Sequence, residues 1–179
     1  NNADNKYHGY VSTRQAISES LNIPAVKALD YVGLKKSKET LNSFGINVAN
    51  SDLNLSLALG SMKNGIDMFS LVNAYSILAN DGINKGWTFI DRIENEQGKP
   101  IYLREKFQEK VASAEDCFLL TDMLKETAST GTARRLNDLN LPIASKTGTA
   151  SNKNGNTDLF NVSYTTENTI LTWVANISG

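Results

Sequence analysis

The chain has 179 residues, 40% of them hydrophobic and 21% charged, which suits one domain with a real core and is short for two. Lys and Arg total 18 against 19 Asp and Glu, a near-neutral balance that argues against nucleic acid as a partner. The single cysteine, Cys117, excludes an internal disulfide and a multi-cysteine zinc site, and no apolar run reaches the length of a membrane-spanning helix.

The polar opening Asn1-Asn2-Ala3-Asp4-Asn5 has no initiating Met and reads as a cut from a longer chain. Ser12 and Gln15 have the spacing of a capping box, which predicts a short helix to about Ser20. Pro24 suits the first turn of a second helix, Pro24 to Val32, ended by Gly33. A third short helix fits Ser37 to Phe44, closed by Gly45. Asp67 caps a stronger helix with Phe69, Val72, Tyr75 and Ala79 on one face and Gly82 beyond it. Phe89 to Ile93 and Ile101 to Leu103 flank Gln97-Gly98-Lys99-Pro100 as a small hairpin. Ser113 caps the next helix, with Cys117, Leu120, Leu124 and Ala128 on one face and Thr130-Gly131 at its end.

The tail changes period. Pro142 to Ala150, Leu159 to Thr165 and Thr169 to Ile177 read as strands, the last two joined by the tight turn Thr166-Glu167-Asn168. Ser151 to Asp158 reads as a polar, Asn-rich loop. A helical region over about 11–130 followed by an antiparallel sheet over about 142–178 is an α+β layer arrangement.

Two short motifs can carry chemistry. In Ser20-Leu21-Asn22, at a junction between helices, Ser can relay a proton and Asn offers both a donor and an acceptor to an amide. Taken alone the triplet also reads as helix termination, since both residue types favour helix ends. In Lys146-Thr147-Gly148-Thr149, alternation puts Lys146 and Gly148 on one strand face and Thr147 and Thr149 on the other. The glycine suggests close approach of another backbone, as in strand addition by an extended peptide, and the strand N–H groups could hold an oxyanion. A phosphate loop does not fit, because Ser145 and Asn140 stand where it needs glycines. A purely structural strand is the remaining reading.

Ser-x-x-Lys, Ser-x-Asn and Lys-Thr-Gly together mark penicillin-binding proteins and class A β-lactamases. The second and third members occur here in the right order, and their surroundings extend the match. The segment Tyr7-His8-Gly9-Tyr10 and Ser12 to Lys27 resembles the second-motif region of bifunctional, class A penicillin-binding proteins. Leu57 to Ser61, Asn73-Ala74-Tyr75 and Ala79 to Gly82 are similar to their middle segment. Gly131-Thr132-Ala133, Ser145 to Thr149, Asp158, Tyr164-Thr165 and Trp173-Val174 resemble the third-motif region and the strands after it. In departure from the family, Ser145 replaces the usual Gly before the Lys, Phe160-Asn161 replaces Trp-Phe, Ser163 replaces a Gly, and Thr166 replaces a Pro.

The resemblance implies a partial β-lactamase/transpeptidase-like fold and serine acyl transfer. In that mechanism Ser20 passes the proton to the leaving amine, Asn22 holds the substrate amide and Lys146 supports Ser20. Thr147, Gly148 and Thr149 line the substrate, with the two threonines on the terminal carboxylate and the Thr149 N–H forming half the oxyanion hole. The implied partners are D-Ala-D-Ala stem peptides of peptidoglycan, β-lactam antibiotics and an upstream part of the same domain. No cofactor or metal is implied, and the parent would be anchored outside the cytoplasm. No serine in the chain has a lysine three positions on, so the nucleophile must come from upstream, and this chain alone is expected to be inactive and marginally soluble without a partner segment. A D,D-carboxypeptidase or β-lactamase relative and a non-catalytic interaction module are the other readings. His8 reads as a polar loop residue, Cys117, Tyr75 and Trp173 as core, and Arg134-Arg135 as a solvated pair.

Overall fold

Helices precede a three-stranded antiparallel sheet, as the change of period requires, in a computed structural model that describes residues 1–176. Helix α1 (Thr13–Ser18) starts at Ser12, whose hydroxyl accepts the Gln15 N–H at 3.1 Å. Only this half of the capping box forms: the Gln15 carboxamide donates to Glu19 at 3.0 Å instead of reaching back. Helices α2 (Asn22–Val32) and α3 (Leu34–Ser43) are separated by Gly33 alone, at φ +87°. One residue without a Cβ turns the chain there, so the third helix begins at Leu34 and not at Ser37.

Helix α4 (Met68–Ala79) is capped by Asp67, which accepts the Ser70 N–H at 2.8 Å. Its expected apolar face is right at Tyr75 and Ala79, which pack on the core, and needs correction at Phe69. Ala74 and Ile77 are the buried positions, whereas Phe69 is half exposed and lies 5.0 Å, ring centre to ring centre, from both Trp87 and Phe89. The helix is apolar on almost every side, so periodicity could not select the inward face. Strands β1 (Ile83–Asn84) and β4 (Glu109–Lys110) pair antiparallel and bracket the small hairpin of β2 (Arg92–Glu94) and β3 (Pro100–Leu103). Helix α5 (Ala114–Ser129) starts under the Ser113 cap and buries Cys117, Leu124, Thr127 and Ala128.

The sheet runs in the order β5 (Ala144–Asn152), β6 (Gly155–Tyr164), β7 (Thr169–Ala175). The long loop expected from Ser151 to Asp158 is not there. Past a bulge at Ala150 and Ser151, pairing continues through Ser151 with Asn156 and Asn152 with Gly155, leaving Lys153-Asn154 as the turn. The Ser151 hydroxyl donates to Asn156 at 2.8 Å, so polar side chains here bridge the two strands. The β6–β7 turn is as expected, with the Thr165 N–H on the Asn168 carbonyl at 2.9 Å; Ile177, expected in the last strand, lies outside the described residues.

Helices α4 and α5 cover one sheet face and α1 packs on α5. Leu124, Ala144 and Tyr164 form the centre of this core, with Ile17, Tyr75, Leu78, Ala79 and Leu120 around them. Trp173 does not join it: the indole is 46% exposed, stacks on Phe160 at 5.8 Å and donates to Asp158 at 2.9 Å. Its partner on β6 is Phe160.

Tyr75 meets Tyr164 edge-on at 6.2 Å, and the Tyr164 hydroxyl shares a 2.8 Å hydrogen bond with Thr121. Burial pushes the Tyr75 phenol up to about 12 and raises Tyr164 as well. Above pH 10 the unfolded chain releases the Tyr75 proton while the native state retains it, so native binding exceeds unfolded binding and stability falls as pH rises towards 12. Tyr75→Phe should remove on the order of 2–3 kcal/mol of that alkaline loss, read from urea unfolding between pH 8 and 12. An unchanged slope would show that the Tyr75 phenol is not held protonated by the core.

Candidate functional site

Ser20 owes its position to the way α1 ends. The Leu21 N–H bonds the Ala16 carbonyl at 2.9 Å and the Ser20 N–H bonds that of Ile17 at 3.2 Å, the paired bonds of a Schellman motif. The motif needs a left-handed residue after the cap, usually Gly, and Ser20 fills that position at φ +56°. The helix-terminating reading of this residue is therefore correct, and it coexists with a second contact. The left-handed turn aims the Ser20 hydroxyl at Lys146 on β5, whose Nζ donates to it across 126 positions of sequence.

Lys146 Nζ also donates to the Thr147 carbonyl at 2.9 Å. No carboxylate among the described residues pairs with it, and burial lowers its pKa below the usual lysine value. The ammonium is thus a partly desolvated positive charge whose one side-chain partner among the described residues is a hydroxyl.

Thr147 faces away from Lys146 and shares a 2.7 Å hydrogen bond with the Thr132 hydroxyl. Thr132 in turn donates its N–H to the Ser18 carbonyl at 3.1 Å. The preceding residue is Gly131, where a Cβ would stand 2.4 Å from the Ser18 carbonyl oxygen and 2.8 Å from the Thr127 Cα. Gly131 is not there to adopt a left-handed turn; it lets α1 and α5 approach. Gly131 and Thr132 were not singled out from the sequence as site residues. A glycine after a helix is so common a terminator that the pattern hides its steric role.

Gly148 and Thr149 lie exposed on β5, with Gly148 opposite Phe160 and Thr149 opposite Leu159. Strand β5 pairs on one side with β6, and its other edge has no partner strand among the described residues. Asn22 opens α2, two residues after Ser20, and its amide nitrogen donates to the Asn1 carbonyl at 3.2 Å. The structure therefore brings Ser20 and Lys146 into contact, puts Thr147 beside Thr132, and leaves Gly148 and Thr149 on an open strand edge.

The three departures at Ser145, Asn161 and Ser163 form one cluster behind this strand. Ser145 is 0% exposed, and its hydroxyl lies 2.8 Å from Asn161 Oδ1, 3.2 Å from the Val162 carbonyl and 2.9 Å from the Ser163 hydroxyl. Each added polar group has a partner in another, as burial demands. His8 bonds Asp4 at 2.9 Å in the N-terminal loop and Arg134 and Arg135 are exposed, in line with their sequence readings. Among the described residues no three His, Cys, Asp or Glu side chains converge as metal ligands, and no helix is long and apolar enough to cross a membrane.

The family described as penicillin binding protein transpeptidase domain matches residues 1–179. Penicillin-binding protein 1A of Clostridium botulinum (strain Hall) is 32% identical over 153 residues, covering 84% of this chain and 18% of the relative. Penicillin-binding protein 2a of Streptococcus pneumoniae (strain D39) is 31% identical over 165 residues, 91% of this chain and 21% of the relative. The chain thus spans about a fifth of the length of these curated relatives. The fold is similar to that of the penicillin-binding protein PonA1 from Mycobacterium tuberculosis, with a TM-score of 0.84 and 19% identity over 99% of this chain and 51% of that one.

The left-handed Ser20 yields a test that separates backbone from hydroxyl. Ser20→Ala keeps the Cβ at positive φ and loses the Lys146 contact, so it should destabilise by about 1–2 kcal/mol. Ser20→Gly removes more atoms yet relieves the backbone, and should be less damaging than Ala by about 1 kcal/mol in equilibrium urea unfolding. If Gly proves as damaging as Ala or worse, the strained cap is not a feature of the folded chain.

Proposed function

The chain belongs to the penicillin-binding protein transpeptidase domain family, and from that premise we propose that it forms the C-terminal part of a D,D-transpeptidase whose nucleophile is supplied by a Ser-x-x-Lys segment of a longer parent. The observation that carries this reading is the Lys146–Ser20 contact beside the open edge of β5. A proton-relay hydroxyl, a partly desolvated ammonium and an open strand edge are the parts that acyl transfer from an extended peptide needs.

In the proposed reaction the parent's serine oxygen attacks the carbonyl carbon of the penultimate D-Ala of a stem peptide. Its proton is taken up by the groups around it, and the carbonyl oxygen becomes an oxyanion held by strand N–H groups at Thr149. As the C–N bond breaks, Ser20 gives its proton to the departing D-Ala nitrogen and recovers the one released by the nucleophile. The Lys146 ammonium favours a hydroxyl oxygen poised to lose that proton. An amine from a neighbouring stem then attacks the ester carbonyl, the C–O bond breaks, and the serine is restored with a cross-link formed.

The remaining assignments are those the family resemblance implies. The substrate lies along β5, its terminal carboxylate on the hydroxyls of Thr147 and Thr149, and Asn22 contacts the stem-peptide amide. β-Lactams acylate the same serine because they present a reactive amide beside a carboxylate. PonA1, a structural neighbour, has been solved in complex with penicillin V. The parent works outside the cytoplasm, where peptidoglycan is, held by an anchor beyond this chain.

No serine here has a lysine three positions on, so this chain alone should give no covalent band with a fluorescent penicillin under denaturing electrophoresis. The parent bearing the Ser-x-x-Lys segment should give one. In the parent, Lys146→Ala should lower the acylation rate by at least about 100-fold. Because burial lowers the Lys146 pKa, the wild-type rate should fall on the alkaline side at a pH below the ordinary lysine value. A labelled band on the isolated chain, or full acylation by the Lys146→Ala parent, would overturn the proposal.

A further inference from the structure

Asn2 lies far from Ser20 and Asn22 in sequence, yet its side chain is built into the same loop. It is 4% exposed, an unusual burial for an asparagine in a polar segment. The reason lies in how α2 starts. Its N-cap residue is Leu21, which has no side-chain acceptor. Side-chain caps normally serve the N–H of the second or third helical residue. The third residue of α2 is Pro24, which has no N–H, so Ile23 is the donor left to satisfy. Asn2 Oδ1 accepts that Ile23 N–H at 3.0 Å, from 21 residues upstream.

The same carboxamide is fixed at its other end. Asn2 Nδ2 donates to the Lys6 carbonyl at 2.8 Å, and the Asn5 N–H bonds the Asn2 carbonyl at 3.0 Å. A tight turn over residues 2–5 thus holds the acceptor in place. The neighbouring carbonyl, that of Asn1, receives the Asn22 amide nitrogen at 3.2 Å. One short segment therefore caps the helix that begins with Asn22 and orients the Asn22 side chain.

We propose that Asn2 is a positioning residue for Asn22, acting as a detached N-cap of α2 that sets how the Asn22 carboxamide meets a substrate amide. This rests on the transpeptidase reading above for the role of Asn22. The chemistry at position 2 needs one acceptor and one donor on a planar group. Aspartate would supply the acceptor but would set a carboxylate oxygen against the Lys6 carbonyl. Alanine supplies neither.

The experiment uses the parent protein with its Ser-x-x-Lys segment and two readouts. The first is amide hydrogen exchange at Ile23. Asn2→Ala should speed exchange there by roughly fivefold or more, the loss of one helix cap, and Asn2→Asp should be intermediate. The second is the ratio of acylation efficiency between benzylpenicillin, which carries a side-chain amide, and 6-aminopenicillanic acid, which has a free amine there. Asn22→Ala should reduce the wild-type preference for the amide-bearing compound, and Asn2→Ala should reduce it by at least about threefold through a weaker half-saturation value. The double variant should fall no further than Asn22→Ala.

Unchanged exchange at Ile23 in Asn2→Ala would overturn the detached cap. Faster exchange with an unchanged penicillin ratio would overturn the positioning role and reduce Asn2 to a structural residue. A wild-type parent that is not acylated by either compound would remove the transpeptidase reading instead, and the Ile23 exchange would still decide whether Asn2 caps α2.

Discussion

The arrangement depends on how closely the end of α1 can sit against the junction of α5 and β5. Gly131 sets that distance, because the Ser18 carbonyl occupies the space a Cβ would take. With the gap closed, the Thr132 N–H reaches Ser18 and the Thr132 hydroxyl reaches Thr147, so the helix end and the strand are tied through one residue. The contact between Ser20 and Lys146 follows from that spacing.

Ser20 shows how local structure and chemistry can use the same residue. Its left-handed backbone ends α1, a task glycine performs at lower conformational cost, and the retained hydroxyl meets Lys146. The loop is then held from both sides. The Schellman bonds fix it to α1, and the carboxamide of Asn2 and the carbonyl of Asn1 fix its far end at the start of α2. Such double support is the kind that allows a strained residue to persist.

The polar cluster of Ser145, Asn161 and Ser163 adds a contrasting case. Three separate departures from the family pattern, scattered over 19 positions of sequence, are neighbours across β5 and β6 and satisfy one another. Together they give a strand that is polar behind Lys146 yet free of orphaned groups at those positions.

What the sequence determined by itself was local or repetitive. The caps at Ser12, Asp67 and Ser113, the β6–β7 turn and the change of period at about residue 142 all depend on neighbours within a few positions, so they could be read directly. Ser20, Asn22 and the Lys146-Thr147-Gly148-Thr149 strand were legible as motifs for the same reason. The inward face of α4, the shortened β5–β6 turn and the exposure of Trp173 were decided by what packs against them, which no period encodes when a segment is apolar on all sides or polar on both strands. Tertiary structure alone brought in Asn2 and gave roles to Gly131 and Thr132, which the sequence showed only as part of the family resemblance. Their roles are a hydrogen bond across 21 residues, a steric gap between two helices and a hydroxyl pair across 15 residues, and such distances in sequence are closed only by the folded chain.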